Sequence, residues 1–564
     1  MIKYILAIGL VCSGQNYFAQ NALLIPDTLD GTSINLTLQN GTHQFYSGIN
    51  TATTGANGDI LGPTLLLNNG DFVHFSVNNQ LGDTTTIHWH GLHVSSQNDG
   101  GPHTTIAPGA TWEPSFNIFD KAATYWYHPH LHGKTNEHVS KGIAGLIIVR
   151  DAEEAALTLP RTYGVDDFPL VIQTKDFDVN KEILVHTNSD DVVMVNATID
   201  PFLDVPAQVI RYRILNGSSQ RAFNLGLTNN KKFYQIASDG GLLSTPNQTA
   251  RLVLAPGERA EILIDFTGMS GQTVSLKSYA SELPNGVYGA TNPGMMSGMT
   301  LNGYNPNPLN GNNFDLVDFN IGAQNSKPIT TIPSNLVTIT PLDESTANIT
   351  RKLTFSAASM GQNQLNGKFL INNTSFDMMT INYTVPIDNI EIWELRNQSA
   401  ISHPFHIHDV QFYVLDRNGA TPPVSEQGRK DVIFVKPQET VRFIAQFEHF
   451  FNDTVPYMYH CHLLTHEDDG MMGQFVVSGP NGIEETSFNA DLKVYPNPSN
   501  GVVYVELENQ QKMDEVLVFD QLGRLVKSIS VTQNKARISG LAAGVYVVQI
   551  VSGNETFNQR LIME

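Results

Sequence analysis

One plan, an alternating strand ending in asparagine, a short polar link and a second strand, occurs three times along this chain. The copies are residues 71–94 (DFVHFSVNNQLGDTTTIHWHGLHV), 209–227 (VIRYRILNGSSQRAFNLGL) and 390–415 (IEIWELRNQSAISHPFHIHDVQFYVL). Each is followed by a turn and a further strand, at Ala107-Pro108-Gly109, Ala255-Pro256-Gly257 and Lys436-Pro437-Gln438. Successive side chains of a strand point to opposite faces, so alternation of this kind marks strands with one buried face. Short alternating strands separated by Gly and Pro turns argue for β-sandwiches in series. The composition agrees, because only 15% of residues are charged against a typical value of about 25%. A chain of 564 residues has room for roughly four domains of about 150 residues each.

The same alternation gives the segment His460-Cys461-His462 two functions, since Cys461 faces one way and both histidines the other. Downstream lie His466 and Met471, and a thiolate, imidazoles and a weak thioether are the ligand set of an electron-transferring copper centre. One more histidine is needed, and His403 stands apart from a pair in His403-Pro404-Phe405-His406-Ile407-His408. Further His-x-His pairs occur at His88-Trp89-His90 and His128-Pro129-His130. The eight paired histidines exceed the needs of one ion and match three ions with three, three and two ligands. Imidazole also suits zinc, iron and nickel, so the pairs alone leave the metal open. The thiolate between His460 and His462 decides for copper.

With its motifs HWHG, WYHPH, HPFHIH and HCHLLTHEDDGMM, the chain resembles the three-domain multicopper oxidases, the family of laccases, bilirubin oxidases and bacterial cuprous oxidases. The similarity runs from about residue 25 to 480. It implies an all-β fold of three cupredoxin-like Greek-key β-sandwich domains and four copper ions. By that resemblance a type 1 copper takes His403, Cys461 and His466 with axial Met471, and a type 2 copper takes His88 and His406. A type 3 pair takes His90, His128 and His462 on one ion and His130, His408 and His460 on the other. The middle copy of the repeat has no such ligands, its nearest histidine being His186, so it reads as a spacer and the three-copper site must form between the first and third domains.

Residues 1–20 carry Lys3 and a short apolar stretch and read as a secretory signal. No later apolar run reaches the roughly 18 residues of a membrane-spanning helix. The expected organisation is then 21–155, 156–330 and 331–482 for the three sandwiches, and 488–564 for a fourth unit. That unit opens on Tyr495-Pro496-Asn497-Pro498 and resembles the C-terminal sorting domain of type IX secretion, which implies export to the cell surface or beyond through that machinery. If the signal is cleaved, Cys12 leaves with it and Cys461 remains as the single cysteine, unable to form an internal disulfide. A net charge of −21 repels nucleic acid and anionic membrane surfaces.

The family's chemistry couples one-electron donors, such as phenols, aromatic amines or Cu(I), to four-electron reduction of O2 to water. Protons are required, and Asp99 and Glu467 match the acids that supply them in the family. Asp99 precedes glycine and also reads as a turn residue, and Glu467 as a solvated acid in Glu467-Asp468-Asp469. His93, His103, His132 and His138 lie close enough to the first ligands for supporting hydrogen bonds, whereas His43, His74, His186 and His449 receive no role. The helical zinc-protease motif is excluded, because Leu463 stands where it needs glutamate. The expected donor class is laccase-like, since residues 360–368 are short with one methionine where cuprous oxidases carry a methionine-rich insertion. A cluster at Met295, Met296 and Met299 keeps cuprous oxidase in copper tolerance as the alternative, and the phrases HPHLHGKT and HCHLLTHEDDGMM, which resemble bacterial cuprous and bilirubin oxidases, keep bilirubin-oxidase-like activity beside it. A copper-binding scaffold is the non-enzymatic one, although copper-free structural relatives of the family have lost ligands that this chain keeps.

Overall fold

The computed structural model describes residues 21–359, 364–479, 492–507, 512–520, 524–531, 533–552 and 555–564. The expected signal at 1–20 lies outside them. Each copy of the repeat forms its strand and ends it in the same way. The strands Phe72–Asn79, Val209–Asn216 and Ile390–Asn397 finish on asparagines that are almost fully buried. The side-chain carbonyl of each asparagine accepts from the N–H two residues on, at Leu81 (2.9 Å), Ser218 (3.0 Å) and Ser399 (2.9 Å). The amide of each donates to the carbonyl just before the repeated turn, at Ile106 (2.8 Å), Leu254 (2.9 Å) and Val435 (3.1 Å). A buried amide with partners for both ends locks the polar link, and the strand carrying the histidines starts from a fixed place.

In the first sandwich one sheet has the order Thr28–Asp30, Thr64–Asn68, Gly145–Arg150, Ala123–His128, His88–His90, and the other is built on Ser33–Tyr46 and Phe72–Asn79. Leu36, Leu65, Phe75, Trp89, Tyr125 and Ile147 share its core. The third sandwich repeats the pattern with Tyr383–Pro386, Met472–Ser478, Asn452–Cys461, His403–Ile407, Val432–Val435 facing a sheet centred on Ile390–Asn397. Trp393, Phe405, Phe443, Tyr459, Cys461 and Met471 lie in its core. The middle sandwich is larger, with six-stranded and eight-stranded sheets. Its six-stranded sheet includes the first described strand, Asn21–Ala22, parallel to Pro201–Pro206. The sequence reading gave these residues to the first sandwich; Leu23, buried in the middle core, anchors them elsewhere.

Residues up to Ser478 form one compact unit and those from Gly479 onward a second. The second unit has a three-stranded and a four-stranded sheet around Val503, Val505, Val516, Ile538 and Ile550. No helix among the described residues is long and apolar enough to cross a membrane.

Candidate metal centre

Register places the ligands. His88–His90 pairs antiparallel with Ala123–His128, so that His88 lies opposite His128, while Trp89 turns into the first core. In the third sandwich Phe405 lies opposite Cys461 and His406 opposite His460. Cys461 therefore faces the core and His406 and His460 face away from it, toward the first sandwich. All eight paired histidines are buried and meet at this junction, with His88 stacked on His408 (ring centroids 3.9 Å apart) and His90 on His406 (3.7 Å).

Hydrogen bonds and close carboxylate contacts fix which nitrogen is free in every paired ring except His462. Carbonyls and carboxylates only accept, so a ring nitrogen bonded to one carries the proton and leaves a lone pair on the other. Nδ1 donates to the Asp99 carbonyl from His88 (2.9 Å), to the Pro129 carbonyl from His128 (2.9 Å) and to the Asp431 carbonyl from His406 (2.8 Å). His408 Nδ1 donates to the Asp99 carboxylate (2.8 Å). Glu467 spans two rings, with Oε2 3.1 Å from His460 Nδ1 and Oε1 3.4 Å from His130 Nδ1. His90 is reversed, because its Nε2 donates to Asp431 Oδ1 (3.1 Å) and Nδ1 is left free.

The free nitrogens then converge without protons between them. His90 Nδ1 faces His128 Nε2 at 3.3 Å, and His130 Nε2 faces His460 Nε2 at 3.1 Å. His88 Nε2, His406 Nε2, His408 Nε2 and both nitrogens of His462 have no hydrogen-bond partner among the described residues. Unpartnered buried polar atoms are costly, and opposed lone pairs repel unless cations lie between them. Burial, and after it the neighbouring imidazoles, hold His90, His128, His406 and His408 far below the ordinary histidine pKa. Rings that stay neutral are ready to ligate, and the donor set fits several divalent ions. Three-residue groups within ligating distance include His130, His408, His460 and His88, His406, His408. His462 belongs to none of these groups; its ring centroid lies 4.9 Å from that of His90.

On the core side of the same strand, Cys461 Sγ lies 3.5 Å from His403 Nδ1 and 3.7 Å from His466 Nδ1. Met471 is fully buried beside them, tied by its N–H to the His466 carbonyl (2.8 Å) and by its carbonyl to the Cys461 N–H (3.0 Å). Phe369 packs against both imidazoles, 4.8 Å from His403 and 4.5 Å from His466. Burial pushes the Cys461 thiol up, so its thiolate requires a bound cation, which reverses the local preference.

Sequence reasoning missed two residues. Asp431, fully buried, holds His90 by its carboxylate and His406 by its carbonyl. Arg259 of the middle sandwich meets that carboxylate through both terminal nitrogens (2.6 and 2.5 Å) and donates Nε to the Thr124 carbonyl on the strand that carries His128 (3.0 Å). Gly257, with φ +84°, sits where a Cβ would come within 2.9 Å of the His462 ring. No local pattern marks Asp431 or Arg259 as partners, while Gly257 is visible in the sequence only as part of the repeated turn. The middle sandwich supplies no ligand, yet it braces the cluster as well as spacing the outer two. Of the other histidines, His138 bonds Thr85 (3.1 Å), His103 bonds Gln474 (2.7 Å) and His132 packs on Phe376. His93 and His449, neither of them given a ligand role, lie side by side with 3.0 Å between Nε2 and Nδ1.

Comparison with known proteins accords with this geometry. Residues 37–154 and 344–481 each match the family described as multicopper oxidase. Multicopper oxidase mco of Staphylococcus haemolyticus is 33% identical over 476 residues, covering 81% of this chain and 93% of the relative. The chain belongs to the multicopper oxidase family. It is an oxidoreductase whose cofactor is copper, in a cupredoxin-like all-β fold. Among solved structures it is similar to the laccase-like multicopper oxidase CueO from Ochrobactrum sp. (TM-score 0.70, 33% identity, 81% of this chain and 100% of that one). It is also similar to McoA of Aquifex aeolicus (TM-score 0.71, 30% identity, 82% and 100%). Cell division protein FtsP of Sodalis glossinidius is likewise 33% identical over 466 residues, covering 81% of this chain and 92% of that protein. Residues 493–564 match a secretion system C-terminal sorting domain.

Proposed function

We propose that this multicopper oxidase is laccase-like and exported, taking single electrons from phenols or aromatic amines and passing them to O2. The observation that carries the reading is the strand His460-Cys461-His462, whose one face meets His403 and His466 and whose other face meets the histidine cluster. His403, Cys461, His466 and Met471 would hold a type 1 copper, and the eight paired histidines a type 2 copper and a type 3 pair. Bound there, four coppers would supply one-electron acceptance at the thiolate and four-electron reduction of O2 to water at the cluster. Cys461 is joined by single peptide bonds to a cluster ligand on each side. Asp99 holds His408 and Glu467 holds His130 and His460 in the tautomer that frees Nε2, and we assign both carboxylates to proton delivery. The ligand set, full by the family resemblance, favours an oxidase over a copper-binding scaffold, although Cell division protein FtsP is equally similar in identity.

The similar Ochrobactrum enzyme is described as acting on lignin model compounds, which supports a phenolic donor. One observation favours Cu(I) as a second reading. Met295 is tied by its N–H to the Ala400 carbonyl (2.8 Å), and Met299 packs on the core that holds Phe369, so the methionine loop is anchored three residues from His403 in the chain. Soft thioethers bind Cu(I). The C-terminal unit supports export through type IX secretion, with a cleaved signal at 1–20. Oxygen uptake by the copper-loaded protein, measured with a phenol and with Cu(I) under the same conditions, decides between them. Faster uptake with phenol establishes the laccase-like enzyme and the reverse a cuprous oxidase. Absence of uptake from fully loaded protein would refute both and leave a copper-binding scaffold.

A further inference from the structure

His93 comes from the first sandwich and His449 from the third, and they meet at the edge of an open cavity also lined by Phe119, Asp120, Asp409 and Glu448. His93 Nδ1 lies 2.9 Å from the Asp409 carbonyl and 3.0 Å from its carboxylate, both acceptors, so Nδ1 carries a proton and Nε2 is the nitrogen turned outward. That nitrogen points at His449 Nδ1, 3.0 Å away. A carboxylate holding one side of an imidazole while the other side faces a second imidazole is the arrangement that orients and strengthens a metal-ligating histidine.

The backbone is bent to produce it. Asp409 has φ +74° and His449 φ +67°, left-handed conformations uncommon for residues with side chains, though Asn, Asp and His adopt them more often than others. Phe119 stacks flat on the exposed His449 ring (5.0 Å, 7°), fixing its direction. A tetrahedral ion about 2.0–2.1 Å from each nitrogen needs them roughly 3.3 Å apart, a few tenths of an ångström beyond the observed spacing. Asp120 and Glu448 offer carboxylate oxygens in the same cavity, with Arg429 the opposing charge.

We propose that His93 and His449 form a further divalent metal site, selective for imidazole-seeking ions such as Zn2+ or Cu2+, at the outer seam between the first and third sandwiches. The site is separate from the copper ligands and completes its shell with water. Against the lowering effect of burial, Asp409 and Asp120 hold His93 up at about 9, so an arriving ion displaces a proton there.

The test uses the full chain, saturated with copper and desalted, then titrated with Zn2+ by calorimetry at pH 7.5 in two buffers of different ionisation enthalpy. Wild type should bind one zinc per chain with release of about one proton. His93→Gln and His449→Asn should each weaken that binding by at least about tenfold, while far-ultraviolet circular dichroism and blue absorbance stay unchanged. Asparagine tolerates the left-handed backbone at 449, so a folded variant is available. An anomalous peak at the zinc edge between the two rings would locate the ion. No zinc uptake by wild type, or equal uptake by wild type and both variants, would overturn the proposal and leave a hydrogen-bonded clip between sandwiches.

Discussion

Arg259→Met should destabilise the copper-free chain although residue 259 is no copper ligand. Arg259 is fully buried and donates to the Asp431 carboxylate twice and to the carbonyls of Thr124, Gly257 and Asp239. Methionine fills similar volume but strands a buried carboxylate, and breaking a buried pair by removing one partner costs about 3–5 kcal/mol. A cooperative unit of roughly 460 residues has an unfolding entropy near 1 kcal/mol/K at 60 °C. The first calorimetric transition should therefore fall by about 3–5 °C. Arg259→Met combined with Asp431→Asn should lose less than the two single variants added, by at least about 1 kcal/mol. Working without copper keeps metal affinity out of the result. A midpoint within about 1 °C of wild type, or strict additivity in the double variant, would refute the view that this pair clamps three sandwiches together.

Glu467→Gln should slow steady-state oxygen uptake by about 10²–10⁴-fold yet retain the blue absorbance, because Glu467 touches His130 and His460 and not Cys461; a colourless variant would count against its assigned role. Gly257→Ala, in the sandwich without ligands, adds a carbon 2.9 Å from His462 in a backbone of φ +84°, and should lower copper bound per chain as measured by atomic absorption. Unchanged copper content would show that the ring yields freely. The copper-free chain should lose stability as pH falls below about 6.5. His90, His128, His406 and His408 have folded pKa values well below the unfolded one and His462 lies at about 3, so between the folded and unfolded values the unfolded chain binds more protons. Each such group contributes stability that is present above pH 6.5 and declines by up to about 1.4 kcal/mol per pH unit as pH falls. Denaturant titrations at pH 7.5 and 5.5 check this, and equal midpoints would refute it.

The features visible in the sequence are those written as a short period. Alternation in His460-Cys461-His462 placed the thiol on one face and the imidazoles on the other, and the repeated asparagine and turn marked three equivalent strand ends. Glu467 had a local reading as a solvated acid, but the turn Leu464–Asp468 carries it inward until it is 1% exposed. At Asp99 the turn reading holds, since Gly100 at φ +78° leaves no room for a Cβ against the Ile87 carbonyl, and the same turn brings the carboxylate to His408. Asp431 and Arg259 stand 172 positions apart in segments with no unusual pattern, and His449 gains its neighbour only from a left-handed residue in a loop. Contacts across sandwich seams depend on docking, which no periodicity within one strand encodes.

That dependence explains why a sandwich without ligands carries so much buried charge. Beside the cluster, Arg213 and Arg211 pair with Glu261 (2.6 and 2.5 Å), and Glu261 accepts from Thr124 (2.7 Å) on the strand that holds His128. Before copper arrives, the opposed lone pairs of His130 and His460 push the first and third sandwiches apart, and no disulfide holds them, since Cys461 is a free thiol. Charged hydrogen bonds from the middle sandwich reach the strand of His128 through Arg259 and Glu261, and the residue behind His90 and His406 through Arg259 and, at its N–H, the Asp239 carboxylate. Losing Arg259 should then open the junction more in the copper-free chain than in the loaded one, where the metal itself joins the same strands. A larger drop in unfolding midpoint without copper than with it is the signature of that division of labour; equal drops would place the clamp outside the pathway of metal assembly.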